Sequence, residues 1–241
     1  MTNKYIYFVA NWKMFGNLKS LNSLNKVISF LKKFKKNKIK LIYCPPATLL
    51  KPLSDKIKTT KIKVGAQNCH ENENYGAYTG QINSSMLKSV GAKYVILGHS
   101  ENRHLGEDDN LINLKIKNSI KSGLKIIFCI GESYSQRRKK ITKKILSHQI
   151  SRGLRQIKNK KNIIIAYEPI WAIGSGLIPK DTEIFNIIKF IKKKVKGSKV
   201  LYGGSVNTKN INVLKKIDNV DGFLIGGASQ NSNNFIDIIK K

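Results

Sequence analysis

The chain is short of acid. Its 241 residues hold 14 Asp and Glu against 45 Lys and Arg, a formal net charge of +31. Only five of the bases are arginine (Arg103, Arg137, Arg138, Arg152 and Arg155), so the excess is carried by lysine. Proteins that read nucleic-acid bases usually need the planar arginine fork as well as bulk charge. Its scarcity argues against specific nucleic-acid recognition. Cysteine is scarce too: Cys44, Cys69 and Cys129 are odd in number, lie far apart and form no C-x-x-C pair. Neither a disulfide framework nor a zinc site is indicated, and a reducing cytoplasm suits the chain. Long apolar runs are missing as well. The longest, such as Tyr5 to Ala10 and Asn162 to Tyr167, are strand-sized, too short to cross a bilayer, and Met1-Thr2-Asn3-Lys4 leads into no signal-peptide core. What is present is a core: 41% of the residues are hydrophobic, more than disordered chains of high charge carry.

The lysine surplus admits two explanations, attraction to a polyanion or a solvated surface. Its clusters (Lys32, Lys33, Lys35 and Lys36; Lys139, Lys140, Lys143 and Lys144; Lys192 to Lys194) fall on the polar faces of apparent helices. Lys, Asn and Ile are all heavily used, as A/T-biased coding would produce. A solvated surface is the better explanation.

Apolar spacing alternates between two periods along the chain. Short apolar runs occur at Tyr5 to Ala10, Leu41 to Cys44, Ile62 to Ala66, Tyr94 to Leu97, Ile126 to Ile130, Ile163 to Tyr167, Val200 to Tyr202 and Phe223 to Ile225. Between them lie helical stripes: Leu21, Leu24, Val27, Ile28, Leu31 and Phe34; Ile141, Ile145, Leu154 and Ile157; Ile184, Ile187, Ile188 and Ile191; Ile211, Leu214 and Ile217. Strands buried on both faces and separated by amphipathic helices imply a parallel sheet. Eight such units of about 30 residues predict a closed (β/α)8 barrel, a single catalytic domain over residues 1–241.

Chemically unusual residues then follow the strands. In such barrels the strand C-termini carry the active site, so Asn11-Trp12-Lys13, His99-Ser100-Glu101, Glu168-Pro169, Gly203-Gly204-Ser205 and Gly226-Gly227 converge on one mouth. Two glycine pairs, after the seventh and eighth strands and ahead of helices, the first starting near Asn207 or Thr208, offer bare N–H groups to a phosphate. Glu168 leaves a strongly apolar strand and enters Trp171-Ala172-Ile173-Gly174-Ser175-Gly176. An acid beside an aromatic, glycine-hinged segment reads either as a solvated strand-end carboxylate or as a general base under a water-excluding lid. His99 is a candidate to polarise a carbonyl. Lys13 is placed, two residues past the first strand, to offset substrate charge. Neither a metal cluster nor a cofactor motif is present.

These residues, together with Gly65-Ala66-Gln67-Asn68, Gly76-Ala77-Tyr78-Thr79-Gly80, Cys129-Ile130-Gly131-Glu132, Tyr202-Gly203-Gly204-Ser205-Val206 and Gly226-Gly227-Ala228-Ser229, make the chain similar over essentially its whole length to the triosephosphate isomerase family. The resemblance implies cofactor-free interconversion of dihydroxyacetone phosphate and glyceraldehyde 3-phosphate, a step of glycolysis and gluconeogenesis. It implies Glu168 as base, neutral His99 as electrophile, Lys13 and Asn11 as charge stabilisers, and Gly174, Ser205, Gly226 and Gly227 as phosphate N–H donors. Glu101 and Cys129 would be supporting residues, Cys129 equally a small buried one. The lid would run through Pro169, Ile170, Trp171, Ala172, Ile173, Gly174, Ser175 and Gly176, with Trp171 latching on Glu132 when closed. The long aperiodic stretch from Gln67 to Gly80 would insert into a second subunit, bringing Thr79 near the partner's Asn11 and the partner's Lys13 in a homodimer.

Three departures from the family pattern stand out. Pro179 falls where a backbone N–H usually bonds the Tyr202 hydroxyl in the closed lid, and proline has no such donor. Gln81 and Asn102 replace an ion pair by two neutral residues able to hydrogen-bond. Lys192 stands where arginine is common, leaving one contact, to Asp221, in place of a fork. Two rivals remain: another phosphate-binding barrel, such as an aldolase or sugar-phosphate isomerase, which would share the glycines but not the Glu168 lid; and a nucleic-acid-binding protein, supported by charge alone.

Overall fold

The structure is a computed structural model describing residues 5–34 and 38–241. Met1 to Lys4, and Lys35 and Lys36 of the first lysine cluster, lie outside the described residues. Eight parallel strands close into a barrel in chain order: β1 (Ile6–Asn11), β2 (Ile39–Cys44), β3 (Lys63–Ala66), β4 (Tyr94–Leu97), β5 (Lys125–Ile130), β6 (Ile163–Tyr167), β7 (Lys199–Tyr202) and β8 (Gly222–Ile225). Each falls within two residues of its expected bounds, and helices cross between the strands. Among the described residues no helix is long and apolar enough to cross a membrane.

Strand alternation splits the interior into two cores. Inward residues such as Val9, Ile42, Ile96, Ile127, Ala166 and Leu224 fill the barrel, while outward ones such as Phe8, Tyr43, Phe128 and Ile165 pack against the helices. The same period of two carries on to the strand ends. Asn11 stands one inward step above Val9, and Glu168 one above Ala166, so the alternation that builds the core also aims these polar side chains into the mouth.

The helices depart from expectation in three places. The first begins as a 3-10 segment, Leu18–Ser23, and turns α only over Leu24–Lys33. Asn17 caps it by accepting the Ser20 N–H at 3.1 Å, and short polar side chains such as Ser20, Asn22 and Ser23 favour caps and turns over regular helix. The helix Thr142–Gly153 buries Leu146 and Ile150, with Ile145 only half-buried, and it ends before Leu154 and Ile157 because the chain turns through a left-handed Gln156 (φ 62°). After β7 the expected helix is one turn, Ile211–Leu214. The stripe Ile184, Ile188, Ile191 is buried as expected in the helix Asp181–Lys194.

Lys192 at the end of that helix reaches the buried Asp221 at 2.7 Å, and the Val200 N–H donates to the same carboxylate at 2.9 Å. Lys192 thus reaches Asp221, at the rim opposite the mouth, and Lys199 faces the other carboxylate oxygen at 3.7 Å. Gln81 is exposed and Asn102 half-buried, and no hydrogen bond joins them within the one chain described.

Candidate active site

After β1, Trp12 points outward into the helix layer, edge-on to Tyr43 at 5.8 Å between ring centroids, a contact worth about 0.5–1.5 kcal/mol beyond area burial. Lys13 then takes a left-handed backbone conformation (φ 54°), which costs a non-glycine residue on the order of 1–3 kcal/mol. Three hydrogen bonds hold it there. Its N–H donates to Asn11 Oδ1 at 3.1 Å, Gln67 Nε2 donates to its carbonyl at 2.9 Å, and Gln230 Nε2 donates to the Trp12 carbonyl at 3.1 Å. The reversal brings Nζ back over the mouth, 2.7 Å from Glu101 Oε1. This pair is partly exposed, so it contributes under about 1 kcal/mol to stability.

After β4, Gly98 adopts φ +73°, a conformation that side chains rarely take. That turn swings His99 across the barrel. His99 caps the short helix Ser100–His104, its Nδ1 accepting the Glu101 N–H at 3.3 Å. An accepting nitrogen carries no proton, so in the neutral ring the proton sits on Nε2. Nε2 faces Glu168 Oε1 at 3.3 Å. Burial lowers the His99 pKa, but the charge and hydrogen bond of Glu168, with Glu101 behind them, outweigh burial and the opposing Lys13, and the net direction is up. With Glu168 this close, the expectation of a neutral His99 is opposed by the carboxylate and supported by burial and by Lys13.

Glu168 is 3% exposed, and its Oε2 has no hydrogen-bond partner among the described residues. A buried carboxylate oxygen left unpaired is costly, and such groups concentrate at functional sites. Its backbone is fixed: the Glu168 N–H donates to the Ile130 carbonyl at 2.8 Å. A Cβ on Gly131 would lie 1.7 Å from the Glu168 carbonyl, so only glycine allows this approach. Beneath the carboxylate, burial first and then the Glu168 charge push the Cys129 thiol well above its ordinary pKa. Cys129 is therefore an inert neighbour and not a nucleophile.

A cavity of about 260 Å³ opens over this group. It is smaller than the roughly 300–1,000 Å³ of pockets for drug-sized ligands. It brings together all eight of the catalytic and phosphate-binding residues expected from the sequence: Asn11, Lys13, His99, Glu168, Gly174, Ser205, Gly226 and Gly227. Glu101 and Cys129 stand behind it. Ser205 differs from expectation in one respect, since its N–H donates to the Ala172 carbonyl at 3.1 Å and is spent on the lid. The turn after β8, Gly227–Ser229, is 3-10 and leads to the helix Ser232–Lys240.

The lid is anchored at its root. Pro169 is buried, and Ile170 to Ala172 form a 3-10 turn. Trp171 Nε1 donates to Glu132 Oε1 at 3.0 Å, and the Tyr167 hydroxyl donates to the same oxygen at 3.2 Å. Burial raises the pKa of Glu132, and these hydrogen bonds oppose the rise. The latch expected for the closed lid is thus already made. Arg137 stacks on the Trp171 ring at 4.0 Å while gripping both oxygens of Glu183 at 2.9 Å. The tip, Gly174 to Gly176, is exposed. Pro179 is buried, and the buried Tyr202 hydroxyl has no partner among the described residues.

Sequence reasoning missed Gln67 and Gln230, which hold the Lys13 backbone, and Gly131 and Gly203, which make room for Glu168. Gly203 lies so close that a Cβ would sit 2.8 Å from Glu168 Cγ. The signal for the glycines was their place at strand ends; nothing in the sequence marks a glutamine as the partner of a distant carbonyl.

The family model described as triosephosphate isomerase matches residues 6–241. A curated triosephosphate isomerase from Thermodesulfovibrio yellowstonii is 40% identical over 250 residues, covering 100% of each chain. One from Carboxydothermus hydrogenoformans is 37% identical, with 97% of each chain covered. The crystal structure of triosephosphate isomerase from Bartonella henselae superposes with a TM-score of 0.88 at 33% identity, over 98% of both chains.

Proposed function

The chain belongs to the triosephosphate isomerase family, and on that premise we propose that Glu168 is the base, His99 the electrophile, and Lys13 with Asn11 the charge stabilisers of its reaction. That reaction interconverts dihydroxyacetone phosphate and D-glyceraldehyde 3-phosphate. The observation that carries the residue roles is the buried Glu168 carboxylate, one oxygen unpaired and the other 3.3 Å from His99 Nε2, under a cavity rimmed by a lysine and glycine turns.

Glu168 takes a proton from C1 of dihydroxyacetone phosphate. The C–H electron pair becomes the C1–C2 double bond, and the carbonyl pair moves onto the C2 oxygen. Developing negative charge on that oxygen meets His99 Nε2–H and the Lys13 ammonium, donors that stand in place before the charge appears. His99 gives its proton to the C2 oxygen and recovers one from the C1 hydroxyl. Glu168 returns its proton to C2, and no atom is gained or lost. A base and a neutral histidine at a helix N-terminus form the family's known pairing. Gly174, Ser205, Gly226 and Gly227 hold the phosphate by N–H groups, Ser205 doing so once its bond to Ala172 is given up. The lid from Pro169 to Gly176 excludes water from an intermediate that would otherwise lose phosphate.

The protein works as a homodimer in the cytoplasm, with residues 1–241 as one catalytic domain. Support comes from large apolar side chains left in water on two loops: Met14 at 100% and Leu18 at 65% exposure beside Lys13, and Tyr75 at 76% on the stretch that carries Thr79. The three cysteines are free, as a reducing compartment allows. A coupled assay of triose phosphate interconversion, run on the parent and on Glu168→Gln, tests the roles. The variant is expected to lose on the order of 1,000-fold in kcat; full activity in it would overturn them.

A further inference from the structure

The β4–β5 ladder ends at the pair Leu97↔Phe128. The next carbonyls up, those of Gly98 and Cys129, are beyond the ladder, and one side chain takes both. Arg103, one turn after His99 in the helix Ser100–His104, donates from Nε to the Gly98 carbonyl at 2.8 Å and from Nη2 to the Cys129 carbonyl at 3.3 Å. Its Nη1 donates to Asp109 Oδ1 at 2.7 Å, on the helix Asp109–Lys121. The side chain is only 16% exposed.

We propose that Arg103 is a positioning residue for the isomerisation, fixing the Gly98 turn that aims His99 and the Cys129 carbonyl one residue before Ile130, whose own carbonyl holds the Glu168 backbone. This inference depends on the roles given above to His99 and Glu168. Gly98 and Cys129 lie immediately below the two reacting groups, on neighbouring strands. One rigid fork joining their carbonyls holds the ends of β4 and β5 together, and through them the spacing between imidazole and carboxylate. Three acceptors in three directions match the fixed donor geometry of a guanidinium, which an ammonium on a flexible stem does not reproduce. The chain itself shows the contrast. At the opposite rim the buried Asp221 takes lysine ammoniums, Lys192 at 2.7 Å and Lys199 at 3.7 Å, and among the described residues no fork bridges two backbone carbonyls there as Arg103 does here. Asp109 completes the clamp, and its second oxygen faces His148 Nδ1 at 3.3 Å, so the carboxylate is itself oriented.

The test compares Arg103→Lys, Arg103→Gln and Asp109→Asn with the parent in the coupled assay, alongside ¹⁵N spectra of the histidine rings. A displacement of about 1 Å at reacting groups can cost on the order of 100-fold in rate. The two Arg103 variants are expected to lose roughly 10- to 100-fold in kcat, with KM within about 2-fold because the phosphate turns are untouched. Asp109→Asn should fall between them and the parent. The His99 ring signals should move away from the pattern of an accepting Nδ1 and protonated Nε2. Variants that melt earlier but keep kcat within about 3-fold and leave the His99 signals unchanged would reduce Arg103 to a structural cap and overturn the proposal. If the Arg103 variants fail to fold, Asp109→Asn decides by the same two readouts. An inactive parent would overturn the assigned reaction, whereas displaced His99 signals in the variants would still support the positioning role.

Discussion

The two sides of the mouth are built differently. On the side of β4, β5 and β6, Glu168 and His99 are buried and held by the Ile130 carbonyl, the Glu101 N–H and the Arg103 fork. On the side of β1, Lys13 keeps a strained backbone with a side chain 30% exposed, tied to a Glu101 carboxyl that is 56% exposed. Around it Met14, Phe15 and Leu18 stand in water. One side is enclosed by its neighbours. The other has the composition of a surface that expects a cover, and the loop carrying Tyr75, Tyr78 and Thr79 has the matching composition.

Separating the subunits of the proposed homodimer is the most severe way to break that comparison. A Tyr78→Asp, Thr79→Asp double variant should be monomeric by sedimentation and lose at least about 100-fold in kcat, because Lys13 loses its cover and drifts. A monomer with full activity at micromolar concentration would mean that the exposed side needs no partner. Next comes the lid root, on the enclosed side. Trp171→Phe removes the indole donor from buried Glu132, a charge-assisted bond worth about 1.5–3 kcal/mol, and should lower kcat by roughly 10-fold in steady-state kinetics. A smaller effect is expected at Tyr202. Its buried hydroxyl has no partner and Pro179 offers no N–H, so Tyr202→Phe should cost less than about 3-fold in turnover and leave the melting temperature level or slightly higher. A loss as large as that of Trp171→Phe would mean the hydroxyl finds a donor in the closed lid.

The finest test is a titration. In the parent, burial lowers the His99 pKa, and Glu168 with Glu101 raises it enough that the net direction is up. Glu168→Gln removes the charge and leaves burial, so the His99 pKa should fall on going from parent to variant, read from ring proton shifts against pH. The charged ring then persists to higher pH in the parent than in the variant. An unchanged value would mean that the pair is not electrostatically coupled and that the enclosed side is looser than its distances suggest.

The strands were legible because burial on both faces leaves unbroken apolar runs, and the site was legible because strand ends in a closed barrel converge wherever the helices lie. The lid showed through its proline, tryptophan and glycines. The helix between β5 and β6 was misjudged because Ile145, Leu154 and Ile157 fit the period as well as Leu146 and Ile150 do, and only packing against the strands chooses between them. Arg103 was invisible for a different reason. Its role depends on the carbonyls left over where the β4–β5 ladder stops, and hydrogen-bond demand of that kind is set by three-dimensional closure and not by neighbouring residue types. The use of the Ser205 N–H by Ala172 is hidden in the same way.

The period of two that fills the barrel and then aims Asn11 and Glu168 into the mouth also limits how the chain can change in length. One residue inserted within Ile163–Tyr167 would shift the phase of everything after it, presenting Tyr167 to the cavity and turning Glu168 out among the helices. No single substitution elsewhere restores that phase; only a second insertion or deletion in the same strand can. The helices and the loops on the far rim carry no such clock, so drift in chain length is confined to them, and the eight strands form a frame whose lengths are fixed by the chemistry at their ends.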